Sequence, residues 1–568
     1  MTAIRSEVRP GAYFDSAVLM RLQRALAELP GVADAGVVMA TPANCELLDQ
    51  SGLYDKAPGA GPNDLLIVVK GETEAAAAAA LGQVDALLQQ RRASASQDFR
   101  PKSLATAARH LPEAGWVLVS APGRYAARVA REAVDLGKHV FLYSDNVPLD
   151  DEVALKQAAE AKGLFVMGPD CGTAIVNGVR LGFANRVRRG PIGVVGASGT
   201  GLQAITAEIH NLGSGVSQAL GTGGRDLKAE VGAITAHQAL DLLARDPATK
   251  VIVLVSKPPA AAVATRLLAA AQAAGKPVVV NFIGYPPPAR SLGRLHFATG
   301  LADAAALAVQ LLDAARGDSR LEIASAQPQS PRAASTLFLR GLFSGGTLAY
   351  EAMLGLQAVL APLYSNVPLN ETQRLPDPFH SQAHTILDLG EDVFTVGRLH
   401  PMLDNDLRLR RLRQEAADPE VGLLLLDVVL GDGAHPDPAS ELAPAIAEAR
   451  QARDLQVVAV VVGTDADPQN LAAQVESLSA AGATVFRTVT AAVAHISRRL
   501  LAPPQAPAKP VSLDSLTQPF AAINVGLESF YDSLTAQGVP AVHVDWRPPA
   551  GGNEKLMGIL DRLKKGNW

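Results

Sequence analysis

The stretch "GPIGVVGASGTGLQAITAEIHNLGSGVSQALGTGGRDL", residues 190–227, predicts the fold class of this chain. An apolar strand at 192–195 runs into a turn of glycine, serine and threonine, and apolar residues then recur at three- and four-residue steps, as in a helix packed on a sheet. A second strand follows and ends in a second glycine-rich turn. Alternating strands and helices of this kind indicate an α/β protein with parallel sheets.

The first of these turns, which we call the serine turn (Gly196–Gly201), is placed at a helix N-terminus. There, unpaired N–H groups and the positive end of the helix dipole favour an anion. The glycine turn (Gly221–Gly224) ends the next strand. We predict that both hold a phosphate or carboxylate, the alternative being an ordinary capped helix. The predicted anion-binding residues are Gly196, Ser198, Gly199, Thr200, Gly201, Gly221, Thr222, Gly223 and Gly224.

Two other motifs share part of the serine turn. A nucleophile elbow needs glycine two residues after its serine, and Thr200 stands there, which argues against acyl transfer by Ser198. The segment 199–204 fits the dinucleotide fingerprint, but the glycine turn precedes the place where an acidic residue for the ribose is expected. A nicotinamide enzyme therefore stays an alternative.

Composition narrows the class of protein. The 568 residues are enough for several domains, because single cores stop growing at roughly 250–300 residues. The net charge of −5 argues against a nucleic-acid partner. The two cysteines, Cys45 and Cys171, and the absence of a charged-then-apolar leader predict a cytoplasmic protein without disulfides. No apolar run is long enough to predict a membrane span.

The second half of the chain repeats the pattern of the first. "FLRGLFSGGTLAYEAMLGL" places a turn before a helix as the serine turn is placed, and "YSDNVPLD" at Tyr143 has a counterpart in "YSNVPLN" at Tyr364. These echoes indicate a degenerate internal duplication of an α/β unit. The repeat turn (Ser344–Thr347) adds four predicted anion-binding residues: Ser344, Gly345, Gly346 and Thr347.

Several motifs resemble the FdrA family of acyl-CoA synthetase-like proteins, which is related to the α subunit of succinyl-CoA synthetase. They include "LYSDNVPLDDEVALKQ", "MGPDCGTAIVNG", "GVVGASGTGLQ", "VLVSKPP", "ILDLGEDVFTVGRLHPMLDND" and "LDVVLGDGAHPDPA". The resemblance spans residue 1 to about residue 501. It implies a multidomain α/β fold, with a Rossmann-like CoA-binding-type domain and duplicated flavodoxin-like ligase-type domains built on parallel sheets.

The resemblance, together with composition shifts, divides the chain into domains and linkers. They are a small N-terminal α/β domain at 1–110, a CoA-binding-like Rossmann domain at 111–189, a ligase-like flavodoxin-type domain at 190–320, a linker at 321–336, a second ligase-like domain at 337–501, a linker at 502–511 and a C-terminal segment at 512–568.

In the synthetase, a histidine of the ligase domain relays phosphate, and a carboxylate orients it. His296, in "SLGRLHFATG", lies near the corresponding place without the small, glycine-flanked surroundings, and Lys257 stands where the orienting glutamate is expected. His296 is therefore a candidate catalytic residue whose role as a relay we do not expect. The sequence contains no ATP-grasp segment, so a nucleotide-driven ligation would need another chain.

Members of the family also resemble one subunit of oxamate carbamoyltransferase, which converts oxalurate and phosphate into oxamate and carbamoyl phosphate in allantoin catabolism. The main prediction is therefore a carbamoyltransferase subunit with phosphate as a substrate and no certain cofactor. The implied partners are a DUF1116-type subunit and a further small subunit. The alternatives are an acyl-CoA synthetase subunit, which would bind CoA, and a non-catalytic scaffold.

Charged residues outside the glycine-rich turns supply further candidates. Arg225 is predicted to clamp the anion with its orientation set by Asp226. Cys171 is interpreted as a buried structural thiol. Two polar clusters could bind a metal or form an interface, and no metal site is predicted from them. The clusters are Asp388, Glu391, Asp392, Arg398, His400 and Asp404, and Asp427, Asp432, His435 and Asp437.

The C-terminal segment is predicted to dock on a partner subunit. Its hydrophobic core is too small for the segment to fold alone, and its amino-acid sequence resembles the start of DUF1116-type proteins. Phe530 and Trp546 are apolar anchors of the kind that interfaces favour. Truncation after Ala506 should leave the remaining chain folded but unable to co-purify with the partner. Retained assembly, or collapse of the main body, would contradict docking; circular dichroism and pull-down measure the two outcomes.

Overall fold

A computed structural model describes residues 3–12, 16–50, 52–53, 59–62, 64–93, 101–121, 123–287, 289–316, 337–395, 398–500, 517–525 and 527–544, with Leu556 and Ile559. The chain divides into two compact units, Met1–Ala502 and Pro503–Trp568. The predicted linkers at 321–336 and 502–511 lie outside the described residues. In the part of the chain that is described, no helix has the length and apolar character needed to cross a membrane.

The N-terminal residues form a small antiparallel sheet with the order β1-β3-β2. Its elements are β1 (Ala3–Arg9), α1 (Ser16–Ala27), β2 (Val32–Met39), α2 (Pro42–Gln50), β3 (Leu65–Gly71), α3 (Glu74–Leu81) and α4 (Val84–Ala93). The central strand β3 is apolar and buried along nearly all its length, and α1 packs Leu19, Leu22 and Leu26 into the same core. The side chains of one strand thus organise this part of the fold.

A three-stranded parallel sheet with the order β4-β5-β6 follows. Its elements are α5 (Leu104–His110), β4 (Trp116–Val119), α6 (Gly123–Asp135), β5 (His139–Leu142), α7 (Leu149–Glu160) and β6 (Val166–Met167). Parallel strands joined by helices in this way form the βαβ units that the sequence pattern predicts.

The first flavodoxin-type sheet has eight strands in the order β13-β14-β12-β11-β9-β10-β7-β8. Its elements are β7 (Thr173–Val176), β8 (Val179–Gly182), β9 (Arg189–Ala197), α8 (Gly199–Asn211), β10 (Val216–Gly221), α9 (Ile234–Arg245), β11 (Val251–Ser256), α10 (Ala261–Ala273), β12 (Val278–Phe282), β13 (Ser291–Leu292), β14 (Leu295–Phe297) and α11 (Leu301–Arg316).

The second flavodoxin-type sheet has six parallel strands in the order β16-β17-β15-β18-β19-β20. Its elements are β15 (Phe338–Phe343), α12 (Gly346–Leu356), β16 (Leu363–Tyr364), a short 3-10 helix (Glu371–Gln373), β17 (His384–Asp388), α13 (Asp392–Thr395), α14 (Asp406–Ala417), β18 (Val421–Val429), α15 (Pro438–Ala452), β19 (Gln456–Val462), α16 (Leu471–Ala480), β20 (Thr484–Phe486) and α17 (Val489–Leu500).

The two flavodoxin-type sheets share one topology, which confirms the predicted α/β class with parallel sheets. Strands β10-β9-β11-β12-β14 of the first correspond to β17-β15-β18-β19-β20 of the second. Numbered along the chain, each set has the order 2-1-3-4-5 of flavodoxin-like folds, which bind ligands at the carboxyl ends of the strands. The central strands β11 and β18 are buried on both faces, as helix-covered parallel strands are.

A buried cluster of charges joins α7 to the first flavodoxin-type sheet. Lys156 forms ion pairs of 3.0 Å with Glu152 and 2.7 Å with Asp226, and its ammonium group also donates to the carbonyl of Thr222. The three charged residues are at most 1% exposed. A lysine enclosed in this way needs both carboxylates, because an unpaired buried charge is strongly destabilising.

The described residues of the second unit form a two-stranded parallel sheet and a helix: β21 (Ala522–Val525), α18 (Glu528–Ala536) and β22 (Ala541–Val544). The sequence predicts a strand at 522–525, a helix at 527–537 and a strand at 541–544, and the structure confirms these three elements. Phe530 is exposed on α18. Trp546, and the helix predicted over 554–563 apart from Leu556 and Ile559, lie outside the described residues.

Lys156→Met should lower the free energy of unfolding by about 3–5 kcal/mol, because it leaves Asp226 buried without its cation and Glu152 with Arg225 alone. Lys162, just beyond α7, is the matched control because its pair with Asp135 is about half exposed. Lys162→Met should cost less than about 1 kcal/mol. Urea unfolding of both variants measures the difference, and equal costs would contradict a stabilising role for the buried cluster.

Candidate functional site

The serine turn and the repeat turn lie face to face, each between a central strand and the helix that follows it. The hydroxyl groups of Ser198 and Thr347 are hydrogen-bonded to each other. Gly345 packs against Thr200, and a Cβ atom at Gly345 would lie only 2.6 Å from Thr200 Cγ2. The duplicated turns therefore form the two walls of one site at the carboxyl ends of both sheets.

The serine turn presents donors that no other group uses. Ser198 Oγ accepts the Gly201 N–H at 2.9 Å and so caps α8. Among the described residues, no acceptor meets the N–H groups of Ser198, Gly199 or Thr200. The Thr200 hydroxyl also has no partner there, although the residue is only 7% exposed. Open N–H groups at a helix N-terminus attract an anion.

The repeat turn already holds a carboxylate of the protein itself. Asp427, at the end of β18, accepts the N–H groups of Ser344 at 2.8 Å and Gly345 at 2.9 Å. The Ser344 hydroxyl donates to both Asp427 oxygens at 3.0 Å, and Arg408 lies 3.3 Å away. Two of the residues predicted to bind an external anion thus donate to Asp427.

The glycine turn is joined to the serine turn by a hydrogen bond of 2.9 Å from the Thr222 N–H to the Gly196 carbonyl. It does not open a helix of its own, since α9 begins only at Ile234. Gly221 comes so close to Cys171 Sγ that no side chain fits there, and Gly223 has a φ of +88°. Its glycines therefore provide close packing beside the site.

The predicted pairing of Asp226 with Arg225 is wrong. Asp226 is fully buried, binds Lys156 and caps α9 by accepting the N–H groups of Thr235 and Ala236. Arg225 instead pairs with Glu152 at 2.9 Å and donates to the Val147 carbonyl. The sequence does not reveal the buried role of Glu152 and Lys156, because charged residues four positions apart on a helix usually form a solvent-exposed pair.

His296 lies on β14, next to the edge of the first flavodoxin-type sheet, where it pairs in register with Val279. Its Nδ1 is 3.1 Å from the Ser291 hydroxyl, and partial burial lowers the pKa of the imidazole. Within the described ranges, no carboxylate bonds the ring and no contact joins it to either turn. The orienting partner of a phosphate relay is therefore not seen at His296.

Lys257 and Asp388 lie beside the repeat turn, in the cleft between this turn and the serine turn. A Cβ atom at Gly346 would collide with Asp388 Oδ2 and would lie 3.2 Å from Lys257 Nζ. Asp388 is 3% exposed, and its other oxygen accepts the Gly390 N–H at 3.0 Å. No ion pair within 4 Å involves Lys257 among the described residues. This ammonium group is thus available to a ligand.

Several carboxylates share the cleft with Lys257. Burial, with Glu391 and Asp427 nearby, raises the pKa of Asp388 to about 7 against the opposing effect of Lys257. The side chain of Asp170 is exposed, but the surrounding protein removes part of its hydration. This desolvation, together with the negative charges of Asp145 and Asp392, raises the pKa of Asp170 to about 7 as well. Groups that titrate near neutral pH can exchange protons with a substrate.

The two polar clusters separate in the structure. His400 is kept neutral because burial lowers its pKa to about 4, and its Nδ1 accepts the Met402 N–H, which leaves the proton on Nε2 beside Gly390. Other members form contacts away from the turns: Arg398 with Asn44, Asp432 with Arg186, His435 with Arg24, and Asp437 as the cap of α15.

Within the described residues, the group close enough to share a metal ion is Glu46, Asp377 and His380, which belongs to neither cluster. Cys171 is 2% exposed, and burial raises the pKa of its thiol to about 12, as the interpretation of a structural thiol requires.

Family models match three parts of the chain. They are an AllF, heavy metal-associated domain at residues 1–103, a CoA binding domain at 187–284 and a CoA-ligase domain at 342–498. The CoA-binding match falls on the first flavodoxin-type sheet, whereas the CoA-binding-like domain expected from the sequence spans 111–189. Over 504 residues, the chain is 40% identical to the uncharacterized protein YahF of Escherichia coli K12, covering 86% of this chain and 97% of YahF. The chain belongs to the succinyl-CoA synthetase-like family that includes YahF.

Ligase subunits match a shorter stretch of this family member. The ADP-forming sulfoacetate-CoA ligase subunit SauD of Bilophila wadsworthia is 29% identical over 143 residues, which are 24% of this chain and 47% of SauD. The ADP-forming succinate–CoA ligase subunit alpha 2 of Archaeoglobus fulgidus is 29% identical over 144 residues, 25% of this chain and 49% of that subunit. The chain thus aligns with about half the length of each ligase subunit.

These matches correct the predicted enzyme class. The prediction of a carbamoyltransferase is wrong, because the CoA-ligase model and the ADP-forming ligase relatives indicate an acid–thiol ligase. The glycine-rich turns could not separate the two classes by themselves. Both reactions need a phosphate held at a helix N-terminus. The motif therefore predicts that an anion binds, but not which reaction follows.

The raised pKa of Asp388 predicts a pH dependence of stability. The folded chain holds a proton on Asp388 between about pH 4 and pH 7, where the unfolded chain has lost it, so this group lowers the free energy of unfolding as pH rises through that window. Asp388→Asn should therefore gain stability relative to the parent between about pH 5 and pH 8. Urea unfolding at both pH values measures the gain, with Asp241→Asn as control because Asp241 is exposed on α9. A difference that does not vary with pH would contradict the raised pKa.

Proposed function

We propose that this chain is an acid–thiol ligase subunit whose serine turn holds a phosphate or carboxylate group during the formation of a CoA thioester. One observation carries the proposal: among the residues that the structure describes, the N–H groups of the serine turn, the Thr200 hydroxyl and the nearby Lys257 ammonium group have no hydrogen-bond or ion-pair partner. Charge-assisted hydrogen bonds from such donors favour a small anion.

The family supports the class of reaction. The CoA-ligase domain and the ADP-forming ligase subunits among the relatives point to substrates that carry a carboxylate and to CoA as the thiol. We place the acyl-transfer step in the regions that match the CoA-binding and CoA-ligase models, and we assign the nucleotide-dependent step to a partner chain. The half-reaction left to this chain is the exchange of an acyl group between phosphate and CoA.

In the thioester-forming direction, the CoA sulfur attacks the carbonyl carbon of an acyl phosphate. The C–S bond forms, the C–O bond to phosphate breaks, and inorganic phosphate is released. The serine turn and Lys257 would hold the phosphate throughout, which offsets the charge that develops on the leaving oxygen. Asp388, whose pKa is about 7, would take the proton of the thiol. No step requires phosphate transfer through His296.

The substitution pair Ser198→Ala and Thr200→Val tests the serine turn. Thr200→Val removes a hydroxyl from the charged ligand, which is worth about 1.5–3 kcal/mol, and Ser198→Ala removes the side chain that caps α8 and bonds Thr347. The pair should therefore raise the KM for phosphate by at least roughly 10-fold to 100-fold. The assay incubates the chain with a panel of acyl-CoA thioesters and inorganic phosphate, and a thiol reagent records the release of free CoA.

Thr265→Val is the matched control, because Thr265 is exposed on α10 and, among the described residues, its hydroxyl bonds only the Ala261 carbonyl. It should leave the KM for phosphate unchanged. Phosphate-dependent CoA release that is equal in the parent and in the double variant would remove the anion from the serine turn. Failure of the parent to release CoA from any thioester of the panel would count against the ligase half-reaction.

A further inference from the structure

The two flavodoxin-type sheets place different residues at one equivalent position beside their turns. In the first sheet, β11 runs beside β9 with Val255 opposite Gly196, two residues before Ser198, the cap of α8. In the second sheet, β18 runs beside β15 with Leu426 opposite Leu342, and one further step of this register brings Asp427 beside Phe343, two residues before Gly345, the cap of α12. Val255 and Asp427 are therefore equivalent positions of the duplication.

The difference between these residues decides whether a turn is open. Asp427 is fully buried, and its two oxygens take the N–H groups of Ser344 and Gly345. Val255, whose side chain faces Gly196 and Gly201, has no acceptor atom and cannot do this. The serine turn thus keeps its donors, and Lys257, two residues further along the chain, adds an ammonium group where the second copy has Val429.

The contacts of Asp427 identify the repeat turn as its main partner. The four hydrogen bonds from Ser344 and Gly345 are 2.8–3.0 Å long, whereas the nearest side-chain contact to Arg408 is 3.3 Å. An ion pair alone would not require both N–H groups of the turn to point at one carboxylate. The geometry is that of an anion bound at a helix N-terminus.

We infer that Asp427 is a built-in anion that closes the repeat turn to external ligands, so that each chain has one anion site, at the serine turn. The closed repeat turn then serves the open one, because it holds the Thr347 hydroxyl against Ser198. This inference deepens the proposed function and rests on it for the identity of the open site, but the closing role of Asp427 can be tested independently.

Asp427→Ser removes the carboxylate from the repeat turn and should create a new anion site. Calorimetric titration with inorganic phosphate should show one site per chain in the parent and two in Asp427→Ser. With Ser198→Ala and Thr200→Val added, the parent site should be lost and the new site kept. If the serine turn proves not to bind phosphate, Asp427→Ser should still gain one site, so failure of the proposed function is distinguishable.

Val255→Asp makes the reciprocal change and should close the serine turn. It should abolish phosphate binding at that turn, whereas Val255→Asn, of the same size as the aspartate but without charge, should bind phosphate at least 10-fold more tightly than Val255→Asp. This comparison separates the effect of a carboxylate from that of a larger side chain at a buried position.

Removal of Asp427 leaves Arg408 buried without its carboxylate, so folding is measured in parallel by circular dichroism and thermal unfolding. An Asp427→Ser chain whose Tm rises with phosphate more than that of the parent supports the inference, including a chain that folds only in phosphate. A folded Asp427→Ser chain with no added site overturns it. A chain that stays unfolded in phosphate overturns it as well, because an external anion then fails to replace the carboxylate.

Discussion

The rest of this structure depends on the meeting of two helix N-termini. Ser198 caps α8, Thr347 lies in the first turn of α12, and their hydroxyl groups are hydrogen-bonded. Each helix end carries about half a positive charge, so two of them in contact repel unless negative groups lie between or behind them. Asp427 within the repeat turn and Asp388 behind Gly346 supply that charge. The acidic character of the cleft follows from the same requirement.

This constraint explains why the two copies have diverged. If both turns held external anions, two ligands of like charge would lie side by side in one cleft and repel each other. The second copy avoids this with Asp427, whose position the first copy fills with Val255. The first copy carries Lys257 next to the open turn. Of the two duplicated turns, the serine turn has thus stayed open, whereas the repeat turn is occupied by Asp427.

The surroundings of the cleft are held by buried charge pairs as well as by apolar packing. Glu152 and Lys156 on α7 reach Arg225 and Asp226, and Lys156 also bonds the carbonyl of Thr222. The glycine turn and Arg225 are therefore positioned by a helix that belongs to a different sheet. Breaking such a pair is costly, so the cluster makes the placement of the glycine turn depend on correct docking of α7.

Family membership and geometry limit the chemistry in different ways. The comparisons place the chain among succinyl-CoA synthetase-like proteins with a CoA-ligase domain, which excludes the carbamoyltransferase that motif resemblance had suggested. The geometry adds where an anion can bind and which groups can move a proton. It shows His296 at a strand next to the sheet edge with a serine as its partner. A site that includes Lys257 and Asp388 therefore accounts for more of the observed geometry than one centred on His296.

The sequence by itself determined the fold class, the duplication and the three glycine-rich turns, because strand, turn and helix patterns are local and repeat within about ten residues. It could not show which turn is open. The carboxylate that fills the repeat turn lies 83 residues beyond Ser344, and the hydroxyl groups that join the two turns are 149 residues apart. Nor could it show that Glu152 and Lys156 are buried or that Asp226 caps α9. Only the tertiary structure decided these points, since the partner of a charged group is set by how distant strands and helices pack, and no local pattern records that packing.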